Sequence, residues 1–334
     1  MIIGEEIASV IANNNILGFN CNDKGKVSAN KFIKNTYPPI GFLPWSILEV
    51  GNGDVYGFYW PIGKDNEPPL VSTTYHDSHY LSIFASSIQN AIKILWLRFD
   101  FDQESDDSIL YEDLKELATL FKVDLSECSE INRDSNIDML KIDDKAPEIL
   151  LGATKEYITK NMLLEAEACL LRAVSIVPEY TVALFELCKL YRRLKNENKA
   201  IEYMRLTSIS PISFGNIMYR QQCLTWLKSL KKEKISEIND PLLSKIDELS
   251  FNIYEKFNND FALYDSIIEK YFEMGEYRKA ISLRILTGEL MHIETTAFQE
   301  RYSWSYESFF RKLKVELELA GYISRSEILS HGKL

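Results

Sequence analysis

Two consecutive 34-residue segments decide the fold of the C-terminal half: PEILLGATKEYITKNMLLEAEACLLRAVSIVPEY (147–180) and TVALFELCKLYRRLKNENKAIEYMRLTSISPISF (181–214). In both, apolar residues recur at spacings of three and four, as on one face of a helix. The landmarks of the first segment return 34 positions later, with Tyr157, Ala166 and Leu170 followed by Tyr191, Ala200 and Met204. A period of this length predicts paired helices that stack, because each pair alone leaves an apolar face uncovered.

The landmark residues have physical roles in such pairs. Small Ala166 and Ala200 let two helices approach closely, Tyr157 and Tyr191 fill the angle between them, and Pro178 ends the second helix of the first pair. These positions resemble the tetratricopeptide family. The resemblance implies a concave groove that binds peptide or protein segments.

The period weakens further along the chain. Residues 264–287 restate the pattern as a third copy, with Gly275 in the turn and Thr287 at the second small position. Residues 215–258 are amphipathic but lack the Tyr and Ala landmarks. That stretch is therefore either a degenerate helix pair or an insertion.

The first hundred residues differ in composition, since Pro, Gly and aromatic residues separate short apolar runs. Residues 43–50 predict a short helix with Pro44 in its first turn. Residues 55–60 and 70–75 are rich in β-branched and aromatic side chains and predict antiparallel strands. A helix that packs on this sheet is predicted to begin at Ser86, a good N-cap residue.

These patterns give a fold class and three segments. We predict an α+β domain at residues 1–100, with a small antiparallel sheet and flanking helices, and an all-α domain of tetratricopeptide-like helical repeats at 146–330. Residues 101–145 are rich in Asp and Glu and predict an acidic connector. One short amphipathic helix in it is marked by Leu114, Leu117, Leu120 and Phe121.

The N-terminal features come in an order that resembles the SUKH superfamily. They are Leu43-Pro44 at a helix start, the Gly- and Asp-rich run from Gly51 to Pro61, and Ile83-Phe84-Ala85-Ser86-Ser87-Ile88 before a helix. The match covers residues 28–98. The resemblance implies a bacterial immunity protein that neutralises a polymorphic toxin, often a nuclease; fungal members resemble regulators of cell-wall synthesis, and neither group is enzymatic.

The composition of the chain limits the kinds of binding partner and the cellular compartment that we expect. A net charge of −11 disfavours nucleic acids and anionic membranes and favours a partner with a basic surface. The five cysteines form no C-x-x-C pair, which fits a reducing cytosol. Glu5 and Glu6 stand where an export signal needs Lys or Arg, and no apolar run approaches the roughly 20 residues of a membrane span. We therefore expect a cytoplasmic protein.

The sequence gives little support for catalytic or metal-binding motifs. His76, Asp77 and His79 lie in one predicted loop and are residue types that ligate a metal in metal-dependent enzymes, but a structural or surface role is the better interpretation. The sequence contains no G-x-S-x-G, G-x-x-x-x-G-K-[ST] or G-x-G-x-x-G motif, and Gly51-Asn52-Gly53 precedes a strand. We predict no catalytic residues, no cofactor and no metal.

The function predicted is therefore non-catalytic protein binding, most simply by an immunity protein that neutralises a cognate toxin, and alternatively by a tetratricopeptide scaffold or adaptor. The aromatic run at 56–60 favours a sheet core over a stacking platform, and the basic residues at 192–199 favour a solvated face over an anion patch. The candidate partner contacts are Asp54, Tyr56, Tyr59, Trp60, His76, Asp77, Tyr191 and Arg192.

Overall fold

The structure is a computed structural model of the chain. It describes residues 20–21, 27–28, 40–45, 55–75, 80–98, 108–231, 235, 237–249 and 260–331. The chain divides into two compact units, one made from residues 1–31 and 41–177 and the other from residues 32–40 and 178–334. Residues 147–177 of the first 34-residue segment thus belong to the first unit, whereas residues 178–180 and the second segment belong to the second unit.

The first unit contains the predicted sheet. Its antiparallel strands are hydrogen-bonded in chain order, β3 (Phe42–Trp45), β4 (Val55–Tyr59), β5 (Leu70–Thr74) and β6 (Leu81–Ala85). Two short strands, β1 (Asn20–Cys21) and β2 (Val27–Ser28), pair separately. The meander predicted from residues 55–60 and 70–75 is confirmed. Strand β6 is buried along its whole length, and its residues are apolar except for Ser82, so it shows no alternation of apolar and polar side chains.

The prediction of a helix from residue 43 is wrong for residues 43–45, and residues 46–50 lie outside the described part. Residues 42–45 form the edge strand β3, with Pro44 opposite Gly57. Proline cannot donate a hydrogen bond, and an edge strand tolerates that loss. Gly57 is required for the close approach, because a Cβ there would overlap the Leu43 carbonyl oxygen and the Phe42 ring.

Helix α1 (Ile88–Arg98) follows β6 and packs against it, as predicted. Its N-cap is Ser87 and not the predicted Ser86, because the Ser87 Oγ accepts a hydrogen bond from the Asn90 N–H at 3.1 Å. Ser86 instead donates to the buried carboxylate of Asp143, from its N–H at 2.6 Å and its Oγ at 2.8 Å.

The acidic segment contains the predicted short helix, α2 (Ser108–Leu120), followed by a 3₁₀ turn (Ser126–Glu130) and the one-turn helix α3 (Asn136–Met139). Leu114, Leu117 and Phe121 are buried. The first 34-residue segment folds as α4 (Pro147–Thr159) and α5 (Leu163–Ile176). Helix α4 packs on β6, where Ser82 donates a hydrogen bond to Glu148. The sheet therefore covers part of this pair.

The second unit begins with α6 (Thr181–Arg193) and α7 (Glu197–Ile209), which start 34 residues after α4 and α5. Both pairs turn in the same way. Asn161 and Lys195 have φ of 58° and 56°, and the following N–H donates back to the carbonyl of Tyr157 or Tyr191 at 2.8 and 2.9 Å. This is the Schellman ending of a helix. The two predicted helix pairs are thus present; their tetratricopeptide kinship stays a prediction.

The predicted third copy is also a helix pair, α10 (Asp260–Glu273) and α11 (Tyr277–His292), with Gly275 at φ 73° and a 2.8 Å bond from the Glu276 N–H to the Tyr271 carbonyl. Before it lie α8 (Ile217–Lys228) and the one-turn helix α9 (Pro241–Ser244). The last described helices are α12 (Thr296–Arg301), α13 (Tyr306–Leu319) and α14 (Ile323–His331). The fold class predicted, α+β and then all-α, is confirmed.

No helix in the described part of the chain is both long enough and apolar enough to cross a bilayer.

Candidate functional site

The candidate residues from the N-terminal part that the structure describes lie mostly in the core. Asp54, His76 and Asp77 lie outside the described residues. Tyr59 and Trp60 belong to the core, with exposures of 1% and 0%. Tyr56 is half-buried and meets Phe84 edge to face, with ring centroids 5.7 Å apart. The aromatic run thus supplies sheet core, the interpretation that the sequence favoured, and no exposed stacking platform.

Tyr191 and Arg192 are neighbours on α6 that lie in different surroundings. Tyr191 is 2% exposed and stacks on Tyr203, with centroids 5.5 Å apart. Its hydroxyl accepts a hydrogen bond from Lys199 Nζ at 3.1 Å. In this conformation Tyr191 cannot contact a partner. Arg192 is exposed, about 100° further around the helix.

Arg192 borders a set of aromatic rings from α6 and α8. Phe185, 4% exposed, stacks on Tyr219 at 4.4 Å with an interplanar angle of 10°, and on Trp226 at 5.9 Å with an angle of 5°. Tyr219 and Trp226 are half-buried. We call Phe185, Tyr219 and Trp226 the ring stack. It joins the first helix of one pair to the helix that follows that pair, both within the second unit.

Helical spacing puts the cationic side chains beside the ring stack. Phe185, Lys189 and Arg192 stand at positions i, i+4 and i+7 of α6 and so share a face. The Arg192 guanidinium carbon lies 3.8 Å from the Trp226 ring centroid, and Lys189 Nζ lies 5.1 Å from that of Phe185. Contacts at these distances are cation–π interactions.

The charges of these two cations are compensated differently. Lys189 forms an ion pair with Glu186 at 2.6 Å. Arg192 has no ion pair with any residue that the structure describes. Lys195, three residues after Arg192, is also exposed and adds a second positive charge. An acidic protein therefore carries here a local cationic spot on an aromatic surface, suited to holding an anionic group next to an apolar one.

The thiols behind the ring stack are core groups. Cys188 and Cys223 are both fully buried, and a hydrogen bond with Cys188, together with burial, raises the pKa of the Cys223 thiol far above its ordinary range. Burial likewise raises the pKa of Cys128 and Cys169. A raised pKa disfavours the thiolate that nucleophilic or metal-binding chemistry requires. Within the residues that the structure describes, no cluster of three His, Cys, Asp or Glu side chains is arranged to hold a metal.

Sequence reasoning selected Arg192 but missed the rings beside it. The signal on α6 was available, since Phe185 and Arg192 are separated by seven residues, two helical turns. Tyr219 and Trp226 have the same separation on α8, but that helix lies in the stretch without repeat landmarks. Nothing local in the sequence indicates that the two faces meet.

Two family models match parts of the chain. Residues 27–107 match the YfbP N-terminal domain and residues 254–328 match the YfbP C-terminal domain. The chain is also 28% identical, over 286 residues, to the uncharacterized protein YfbP of Escherichia coli (strain K12). That match covers 84% of this chain and 89% of the relative.

The similarity to YfbP therefore runs along most of both chains. The ring stack lies between the two segments that match the family models. No solved structure matches this protein.

Proposed function

We propose that this protein is a non-catalytic protein-binding protein of the cytoplasm that neutralises a cognate toxin. The observation that carries the binding role is the ring stack, in which Tyr219 and Trp226 are half-buried, with the exposed Arg192 guanidinium held on Trp226. Trp, Tyr and Arg are the side chains most enriched where binding energy concentrates in protein interfaces. A guanidinium already held on a ring also loses less side-chain freedom when a partner binds.

The choice of a toxin as partner rests on the N-terminal half. The antiparallel meander followed by α1 agrees with the small α+β core that the SUKH resemblance implies. One element differs from it, since Leu43 and Pro44 lie in a strand. The net charge of −11 supports a partner with a basic surface, because opposite charge accelerates the encounter. Fast association suits a protein that must capture a toxin before it acts.

Co-expression tests this proposal. The product of the neighbouring gene is expressed in a sensitive host with and without this protein, and growth is measured. We expect growth arrest from the neighbour alone and rescue by the full-length chain. If the neighbouring gene product is harmless, or stays toxic when this protein is co-expressed, the proposed toxin neutralisation is refuted.

An adaptor role is the second candidate, and the helix pairs favour it. Helix pairs turn through a residue in the left-handed conformation, followed by the same backward hydrogen bond, at Asn161, Lys195, Gly275 and Gly321. Such pairs present repeated faces on which short segments of several partners can dock. Affinity purification distinguishes the two roles. An adaptor returns several unrelated cellular proteins, whereas an immunity protein returns one toxin.

A further inference from the structure

We infer that the ring stack and Arg192 form a binding site for a short acidic segment of a partner protein, with a carboxylate on Arg192 and an apolar side chain on the rings. The inference rests on the proposed protein-binding role and specifies which face binds and what chemistry it selects. It does not depend on whether the partner is a toxin.

The carboxylate half of the site follows from Arg192. The Arg192 guanidinium carbon lies 3.8 Å from the Trp226 ring centroid, so the ring covers one face of the guanidinium. The N–H groups at the edge of the guanidinium can then donate hydrogen bonds in its own plane. A carboxylate accepts two such bonds in parallel. Since Arg192 has no ion pair among the described residues, an incoming carboxylate displaces no existing partner.

The apolar half follows from the rings. Phe185 is almost fully covered by its neighbours, so a ligand meets the half-buried Tyr219 and Trp226. These two residues are seven positions apart on α8, which is about 10 Å along a helix. An extended peptide covers that distance in about three residues. The expected ligand therefore carries an apolar or aromatic side chain two to four residues from an Asp or Glu.

The charges of the site favour a single carboxylate over a polyanion. Lys189 is already paired with Glu186, and the whole chain has a net charge of −11. A nucleic acid brings a phosphate with every nucleotide and would be repelled by the rest of this surface. One carboxylate next to an apolar side chain needs only the charge of Arg192.

A peptide-display experiment tests the site. Random heptapeptides are selected on the full-length protein, on Arg192→Ala and on Arg311→Ala. Arg311 is the matched control, an exposed arginine of the same unit that is paired with Glu307. We expect the wild-type protein and Arg311→Ala to enrich peptides with Asp or Glu two to four residues from an aromatic or aliphatic residue, and Arg192→Ala to lose that enrichment.

Calorimetry with one selected peptide then measures the pairing. Arg192→Ala, or Asp→Asn in the peptide, should each weaken binding by about 10- to 100-fold. The two changes together should cost no more than either alone, because they remove the same contact. Arg192→Lys should recover only part of the loss, since lysine keeps the charge but not the planar fork.

Several results would overturn the inference. In the display experiment, these are the selection of peptides without acidic residues and the failure to enrich any peptide. In calorimetry, it is an unchanged affinity in Arg192→Ala. In competition, it is Arg192-dependent binding of a single-stranded oligonucleotide or of inorganic phosphate that displaces the peptide. The proposed function fails separately. A partner still captured by Arg192→Ala leaves protein binding intact and removes this site, whereas a chain that selects acidic peptides but rescues no cell keeps the site and loses the toxin.

Discussion

Glu289 makes the stability of the second unit depend on pH. Its side chain on α11 is 4% exposed, and its Oε2 accepts a hydrogen bond from the Ile212 N–H at 2.6 Å. Burial raises the pKa of Glu289 from an ordinary 4.5 to about 7, although the hydrogen bond from the Ile212 N–H opposes the rise. The carboxyl group is thus held partly in its neutral form near neutral pH.

The direction of the effect follows from this raised pKa. The folded chain holds the Glu289 proton more tightly than the unfolded chain does, so the stabilisation is fully present below pH 4.5 and is lost as the pH rises to about 7. A difference of about 2.5 pKa units corresponds to about 3 kcal/mol, at roughly 1.4 kcal/mol per unit. The replacement Glu289→Gln keeps an oxygen acceptor for Ile212 and removes the titration.

This effect is measured by urea unfolding of the wild type and Glu289→Gln from pH 4.5 to 8. The difference between their free energies of unfolding removes the contributions of the other titrating groups, which the two proteins share. We expect similar stabilities at pH 4.5 and a Gln variant that is more stable by about 3 kcal/mol at pH 8. Glu307→Gln serves as the control for the chemical change from Glu to Gln, because Glu307 is exposed and does not take part in the buried contact of Glu289. A Glu289→Gln difference that stays constant across the range would refute the argument.

Three further changes test packing. Gly57→Ala should destabilise the first unit by about 1–3 kcal/mol in urea unfolding, because its Cβ meets Leu43 in the edge strand. Gly275→Ala should cost about 1–2 kcal/mol through its φ of 73° alone, since the space around it is open. Asp240→Ala should cost about 3–5 kcal/mol by thermal or urea unfolding, because it leaves the Arg205 guanidinium, now 2.9 Å from that carboxylate, without its buried partner. Unchanged stability in any variant would contradict its argument.

The helix pairs were predictable because their signal is local. Each pair needs apolar residues at helical spacing and a chain reversal, and all of these lie within 34 residues of sequence. The strand at 42–45 was not, since a proline after a leucine is compatible with the first turn of a helix and with an edge strand. What decides between them is the pairing of Pro44 with Gly57, thirteen residues later. That information is not local.

The candidate site was predictable only in part, and α6 shows why. Tyr191 and Arg192 were both selected by residue type, but successive positions of a helix point about 100° apart. Tyr191 lies on the face that meets Tyr203 of α7, whereas Arg192 lies on the face of Phe185. Helical phase therefore separates a core residue from a candidate contact. Phase alone could not place Trp226 under Arg192, and it is this ring that turns a mobile surface charge into an oriented hydrogen-bond donor.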